Sequence, residues 1–180
     1  MAVFTVIDHT EIGSGGAASW EKTGIDQSYD HLLLLVSARS ERTGVPAESV
    51  IFSLNGSTAA NYSITMLRIL SGSPASTRVS GMNGFSGYQS MTAGDATADT
   101  FGIMKIWIPN YANTANYKQV LWQTVAENAS TGSNEFRVSL TAGLYSENTD
   151  AIDEMKMICY TGSTDIAEFS TFTLYGVSGA

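Results

Sequence analysis

Cysteine is almost missing from this chain, histidine occurs twice and proline three times. A lone cysteine, Cys159, allows no intrachain disulfide and no thiolate cage for zinc or an iron–sulfur centre. Its neighbours Met157, Ile158 and Tyr160 predict that it is buried as a small apolar residue. Positive charge is also short: 9 basic residues stand against 17 acidic ones, for a formal charge of −8. Such a chain repels phosphates and anionic headgroups, so neither nucleic acid nor a membrane is expected as a partner. Long apolar runs are absent as well. The longest, Leu32 to Val36, falls far below the ~20 residues that cross a bilayer, and no secretory signal opens the sequence, so the expectation is a soluble intracellular product.

Motifs of catalysis are missing too. There is no phosphate-binding GxxxxGK[ST] loop, no HExxH, no GxSxG elbow and no calcium-loop ladder of carboxylates. The expectation is a chain that is not an enzyme and has no cofactor and no metal.

What is present is a composition that folds: 180 residues, 43% hydrophobic and 10% aromatic. A chain of this length closes one core by packing alone, so residues 1–180 read as a single domain. Apolar residues recur at every second position or in short blocks cut by Gly, Ser, Asn and Asp, which is the period of strands. The pattern predicts strands at Val3 to Ile7, Ala17 to Thr23, His31 to Arg39, Ser49 to Leu54, Tyr62 to Leu70 and Thr100 to Ile108. Four more follow at Lys118 to Glu127, Glu135 to Ala142, Ile152 to Tyr160 and Phe169 to Val177. About ten strands with frequent turn signals point to an all-β, two-sheet sandwich of jelly-roll type.

Several details refine that frame. Phe172-Thr173-Leu174-Tyr175 and Phe136-Arg137-Val138-Ser139-Leu140 alternate, so one face of each should meet a core and the other water. Leu32 to Val36 does not alternate, which places that strand centrally or beneath a partner subunit. Asn55-Gly56 lies where a primed hairpin turn needs positive φ, and Pro109 closes the strand ending at Ile108. The stretch Gly72 to Ala98, rich in small residues and methionine, reads as a long loop excursion that meets a partner. The alternative is a surface loop with one or two short strands.

Candidate chemistry is sparse. Gly13-Ser14-Gly15-Gly16-Ala17-Ala18 fits a loose GxGxxA pattern, but the strand-like Ser19-Trp20-Glu21-Lys22 follows where a dinucleotide site needs a helix, so the glycines read as a turn. His9 and His31 each follow an aspartate, Asp8 and Asp30, yet adjacent strand residues point to opposite faces and structural roles are expected. Asp150, Asp153 and Glu154 match no calcium loop and read as a solvated turn. Sequons at Asn55, Asn61 and Asn128 have no consequence without a secretory route. Trp20, Trp107 and Trp122 are expected in the core. The apolar groups Leu32, Leu34, Met82, Phe85, Tyr88 and Met91 are the candidates for a subunit interface, since scattered large apolar residues are costly to expose.

Several stretches together resemble a family of small tailed-phage virion proteins of marine and cyanobacterial phages, the jelly-roll capsid decoration or cement subunits. They are Tyr29 to Leu34 leading to Ala38-Arg39-Ser40, Phe52 to Gly56 followed by Asn61-Tyr62-Ser63, Ile108 to Asn113, and Phe169 to Val177. The resemblance implies a virion component on the capsid surface, assembled in the host cytoplasm, that bridges major capsid proteins and associates with itself as a homotrimer. It implies no active site. Related modules occur in tail fibres, so a receptor- or glycan-binding module of an appendage is the alternative expectation.

Overall fold

The computed structural model describes residues 2–70, 72–127 and 137–179. Twelve strands occupy most of them, and no helix forms among the described residues. In chain order they are β1 (Val3–Glu11), β2 (Ser19–Lys22), β3 (His31–Ala38), β4 (Ala47–Leu54), β5 (Tyr62–Leu70) and β6 (Ser73–Met82), then β7 (Phe85–Thr92), β8 (Gly102–Pro109), β9 (Lys118–Ala126), β10 (Arg137–Tyr145), β11 (Met155–Cys159) and β12 (Thr171–Ser178). Each of the ten strands expected from periodicity is found, within a few residues at its ends; Glu135 and Phe136 lie outside the described residues.

The pairing is that of a rolled ribbon. β1 pairs with β12, β2 with β11, β3 with β8 and β4 with β7, all antiparallel. Rolling the ribbon brings β12 against β3 and β11 against β4. The result is a jelly roll whose two halves have the orders β1-β12-β3-β8 and β2-β11-β4-β7. Two insertions, β5–β6 between β4 and β7 and β9–β10 between β8 and β11, add to one half only. They prolong it past β8 as β9-β10-β5-β6, so an eight-stranded sheet faces a four-stranded one.

The two sheets close on an aromatic and aliphatic core. Trp20 stacks on Phe172 with ring centroids 5.0 Å apart, and Phe52, Phe85, Tyr62 and Trp122 form a second cluster at centroid distances from 4.9 to 6.3 Å. Edge-to-face and offset pairs of this kind add about 0.5–1.5 kcal/mol each beyond simple burial. Tyr62 is buried, but its hydroxyl still finds partners, donating to the Leu54 carbonyl and accepting the Leu54 amide. Desolvation pushes its pKa up.

Two expectations are corrected here. Gly72 to Ala98 is not a loop excursion: residues 73–82 and 85–92 are the strands β6 and β7, and β7 supplies one edge of the smaller sheet. Small, polar and methionine side chains hid them, because β6 is exposed along nearly its whole length and so carries no apolar alternation. Asn55 and Gly56 do have φ of 51° and 63°, as a primed turn requires, but they do not close a hairpin. They form a corner, sending β4 into the small sheet and β5 into the large one. The Asn55 side chain holds that corner, donating to the Ala151 carbonyl at 2.9 Å and accepting the Asp153 amide at 3.0 Å. The alternation expected in β10 holds, with Val138 and Leu140 pointing outward and Arg137, Ser139 and Thr141 among its buried residues.

Gly143 of β10 is needed as a glycine by packing. A Cβ there would sit 2.6 Å from both the Phe85 ring and a Val120 methyl. Gly143→Ala should lower stability by about 1–3 kcal/mol through overpacking. The check is chemical denaturation of the variant beside the parent; an unchanged midpoint would show that the Phe85 ring yields freely.

Candidate interaction surface

The outward face of the large sheet is built by strand register. On β8, Ile103 lies opposite Val125 of β9; Val125 lies opposite Val138 of β10, and Val138 opposite Ile69 of β5. A parallel row runs through Gln123, Leu140 and Leu67, and a third through Trp107, Leu121, Ala142 and Thr65. Period-two alternation puts all of these on one side. Seven of them, Leu67, Ile69, Ile103, Leu121, Val125, Val138 and Leu140, are large aliphatic residues between 39% and 60% exposed.

Beneath part of this patch, on β10 and the end of β9, the inward face is polar. Thr124 and Ser139 are buried and bonded hydroxyl to hydroxyl at 2.6 Å, and Thr141 and Arg137 are buried beside them. The Arg68 guanidinium lies 4.0 Å from the centre of the Tyr88 ring. Outer positions of β5, β9 and β10 thus carry Leu, Ile and Val where an ordinary sandwich strand carries polar groups. A shallow groove of about 810 Å³ opens where β5 and β6 meet β9 and β10, with Leu67, Ile69, Val125, Val138 and Leu140 on its walls.

Charge follows the same division. The strands β5 to β10 contain none of the 17 acidic residues but five of the nine basic ones, Arg68, Arg78, Lys105, Lys118 and Arg137. Lys118 and Arg137 are buried, leaving Lys105 and Arg78 as the exposed cations of these strands.

The interface residues expected from sequence fall elsewhere. Leu32, Leu34, Phe85 and Met91 are fully buried in the core of this chain and offer no surface to a partner. Met82 is partly buried against that core, and Tyr88 is 37% exposed beneath Arg68. Leu32 and Leu34 belong to the strand without alternation and the other four to the stretch that reads as a loop, whereas the exposed apolar face sits on β5, β8, β9 and β10. The signal available was β10 itself, where Val138 and Leu140 share one face and Arg137, Ser139 and Thr141 the other.

The remaining candidates are local fittings. Gly13 to Gly16 form a turn, closed by the Gly16 amide on the Gly13 carbonyl at 3.2 Å, and strand β2 follows. His9 bonds Thr173 at 2.9 Å, and His31 accepts the Asn110 amide at 3.1 Å with its ring on Trp107. The neighbouring aspartates are engaged elsewhere: Asp8 pairs with Lys22 at 3.4 Å, and Asp30 accepts the Gly179 amide. Trp20 and Trp122 are core residues as expected, while Trp107 is half-buried on the outward face. Asp150 and Asp153 are exposed and Glu154 half-buried; no group of three potential metal ligands occurs among the described residues. Asn128 lies outside the described residues.

A polar cleft of about 710 Å³ lies at the end of β8, lined by Asn110, Asn116, Tyr117, Gln119 and Thr149 among others. Buried Lys118 ties it together, donating to the Asn116 carbonyl at 2.8 Å and the Thr149 carbonyl at 2.9 Å. Desolvation holds that ammonium below the usual lysine range.

No family model matches this chain, and no curated protein matches it. Among solved structures it is similar to the crystal structure of the infectious bursal disease virus VP2 subviral particle, with 13% identity over 98% of this chain and a TM-score of 0.14. It is similar also to the structure of the infectious bursal disease virus Gx strain, with 14% identity over 99% of this chain and a TM-score of 0.13. This chain covers 40% and 41% of those chains. Likeness at that level carries no argument about what this protein does.

Cys159 is buried within hydrogen-bond reach of Ser40, at 3.7 Å, and desolvation pushes its thiol from 9.0 up to about 11. A thiol whose pKa is raised by folding stabilises the native state below the unfolded pKa, and that stability is lost as pH rises from 9 to 11. Over that window the parent should lose roughly 2 kcal/mol more than Cys159→Ala, since a full pKa unit corresponds to about 1.4 kcal/mol and each state is half-titrated at one limit. Parallel denaturant titrations at the two pH values would read the difference, and equal losses would place the thiol in water. Consistently, a maleimide at neutral pH should label Cys159 only after unfolding.

Proposed function

We propose that this chain is a structural virion protein, a decoration or cement subunit that binds the outer surface of a tailed-phage head and stabilises it. The observation that carries the reading is the acid-free aliphatic face of β5, β8, β9 and β10, mounted on a closed sandwich core. An exposed apolar patch of this extent on ordered strands marks a surface that works by being covered. The resemblance of the Tyr29 to Ser40, Phe52 to Ser63, Ile108 to Asn113 and Phe169 to Val177 stretches to phage decoration proteins supports the same reading. The work is done by contact: each subunit contributes modest binding energy, and repetition over a symmetric lattice multiplies it into resistance to bursting.

A receptor- or glycan-binding module of a tail appendage is the second reading. The cleft around Tyr117 favours it, since Tyr117 is 53% exposed beside three side-chain amides, the combination that stacks on and hydrogen-bonds a sugar ring.

Quantitative mass spectrometry of purified particles separates the two. A decoration subunit should occur in lattice numbers, and stripping it should lower the temperature at which heads release their DNA. A handful of copies per particle, with binding of the isolated chain on a glycan array, would establish the appendage reading instead. Absence from particles would overturn both.

A further inference from the structure

We infer that the outward face of β5, β8, β9 and β10 is the contact surface for a second copy of this chain, the two large sheets stacking face to face about a twofold axis. The inference shares with the proposed function the premise that this face is covered, and adds what covers it.

Area comes first. The exposed aliphatic side chains amount to on the order of 600 Å² of contiguous apolar surface, at the upper end of the largest patch found on typical monomers. Two copies in register would bury about twice that from the aliphatic groups alone, reaching the ~1,200 Å² at which specific interfaces begin. Polar neighbours such as Gln123, Thr65 and Lys105 extend the contact at its rim.

Charge selects the occupant. Two molecules of net charge −8 repel wherever their acidic groups meet. Strands β5 to β10 carry no acidic residue, so two copies that meet at the centre of their shared outward face oppose no carboxylates there, and exposed Glu127, just past β9, lies at its end. The exposed cations of these strands, Lys105 and Arg78, lie on β8 and β6, to either side of the aliphatic centre at Leu140 and Leu67.

Geometry completes the case. Rows of aliphatic side chains at strand spacing on a twisted sheet are the surface that a second sheet packs on at about 10 Å, as in the interior of a sandwich. A single patch that matches itself closes after two copies. A trimer, which the sequence resemblance implies, would need two different complementary patches.

The test is the mass of the full purified chain by light scattering and sedimentation equilibrium. The parent should sediment at twice the chain mass. Leu67→Lys and Leu140→Lys, at positions 60% and 42% exposed, should each weaken self-association at least tenfold while circular dichroism and the unfolding midpoint stay unchanged. Tyr160→Lys, also 60% exposed but on the end of the small sheet, should leave the mass as it was. A measurement on the parent alone guards against misfolded variants: fluorescence of an apolar dye per molecule should rise on dilution as the face is uncovered. A parent that stays monomeric, dye binding that ignores concentration, or an oligomer that survives both lysines would overturn the inference. A dimer missing from particles would sink only the virion reading, and a monomer abundant on particles only this inference.

Discussion

The contact on which this structure depends is the closure of the eight-stranded sheet over the four-stranded one. Trp20 against Phe172, and Trp122 with Phe85, Phe52 and Tyr62, fill the space between them. Close packing of large rings leaves room for nothing else: a Cβ at Gly87 would sit 2.3 Å from the Trp122 ring, and one at Gly143 2.6 Å from Phe85. The rolled ribbon delivers these groups from six different strands, so the core forms only when the non-local pairing is complete.

That closure is unequal, and the inequality generates the surface. Four strands cannot cover eight. Where β5, β9 and β10 run past the small sheet, their inward positions take Arg68, Thr124, Ser139 and Thr141; Thr124 and Ser139 bond each other, and the Arg68 guanidinium lies over the Tyr88 ring. Their outward positions take Leu, Ile and Val. The usual polarity of a sandwich strand is thus reversed over one region, and the apolar surface lost from the core reappears on the outside. The reversed region is also free of acidic residues, although the rest of the chain is strongly acidic. Reversal and charge segregation are independent features of the sequence, and both single out the same strands.

Much of the architecture was legible beforehand because period-two alternation and turn residues are local signals. Tyr62–Leu70 was bounded to the residue, and the sandwich class and rolled topology followed from strand number and spacing. What escaped has a common cause. β6 has almost no apolar alternation because nearly all of it is exposed, and β7 carries its large residues Phe85, Tyr88 and Met91 at every third position instead of every second. Asn55-Gly56 announced the turn conformation correctly and the connection wrongly, because φ angles are local and sheet membership is not. Leu32, Leu34, Phe85 and Met91 looked like interface groups for the same reason: apolar character shows that a side chain is covered, not by what.

The sequence by itself determined ten of the twelve strands, most of their boundaries, the buried cysteine and the local φ angles at the Asn55 corner. Each depends on a residue and its near neighbours. Only the tertiary structure decided which face of each strand meets the core. Alternation divides a strand into two sets of side chains, but the choice between them is made by the sheet that packs above, and that sheet is assembled from residues far away in the chain. Val138 and Leu140 point outward because β10 lies where no second sheet covers that side, and no local pattern could have stated it.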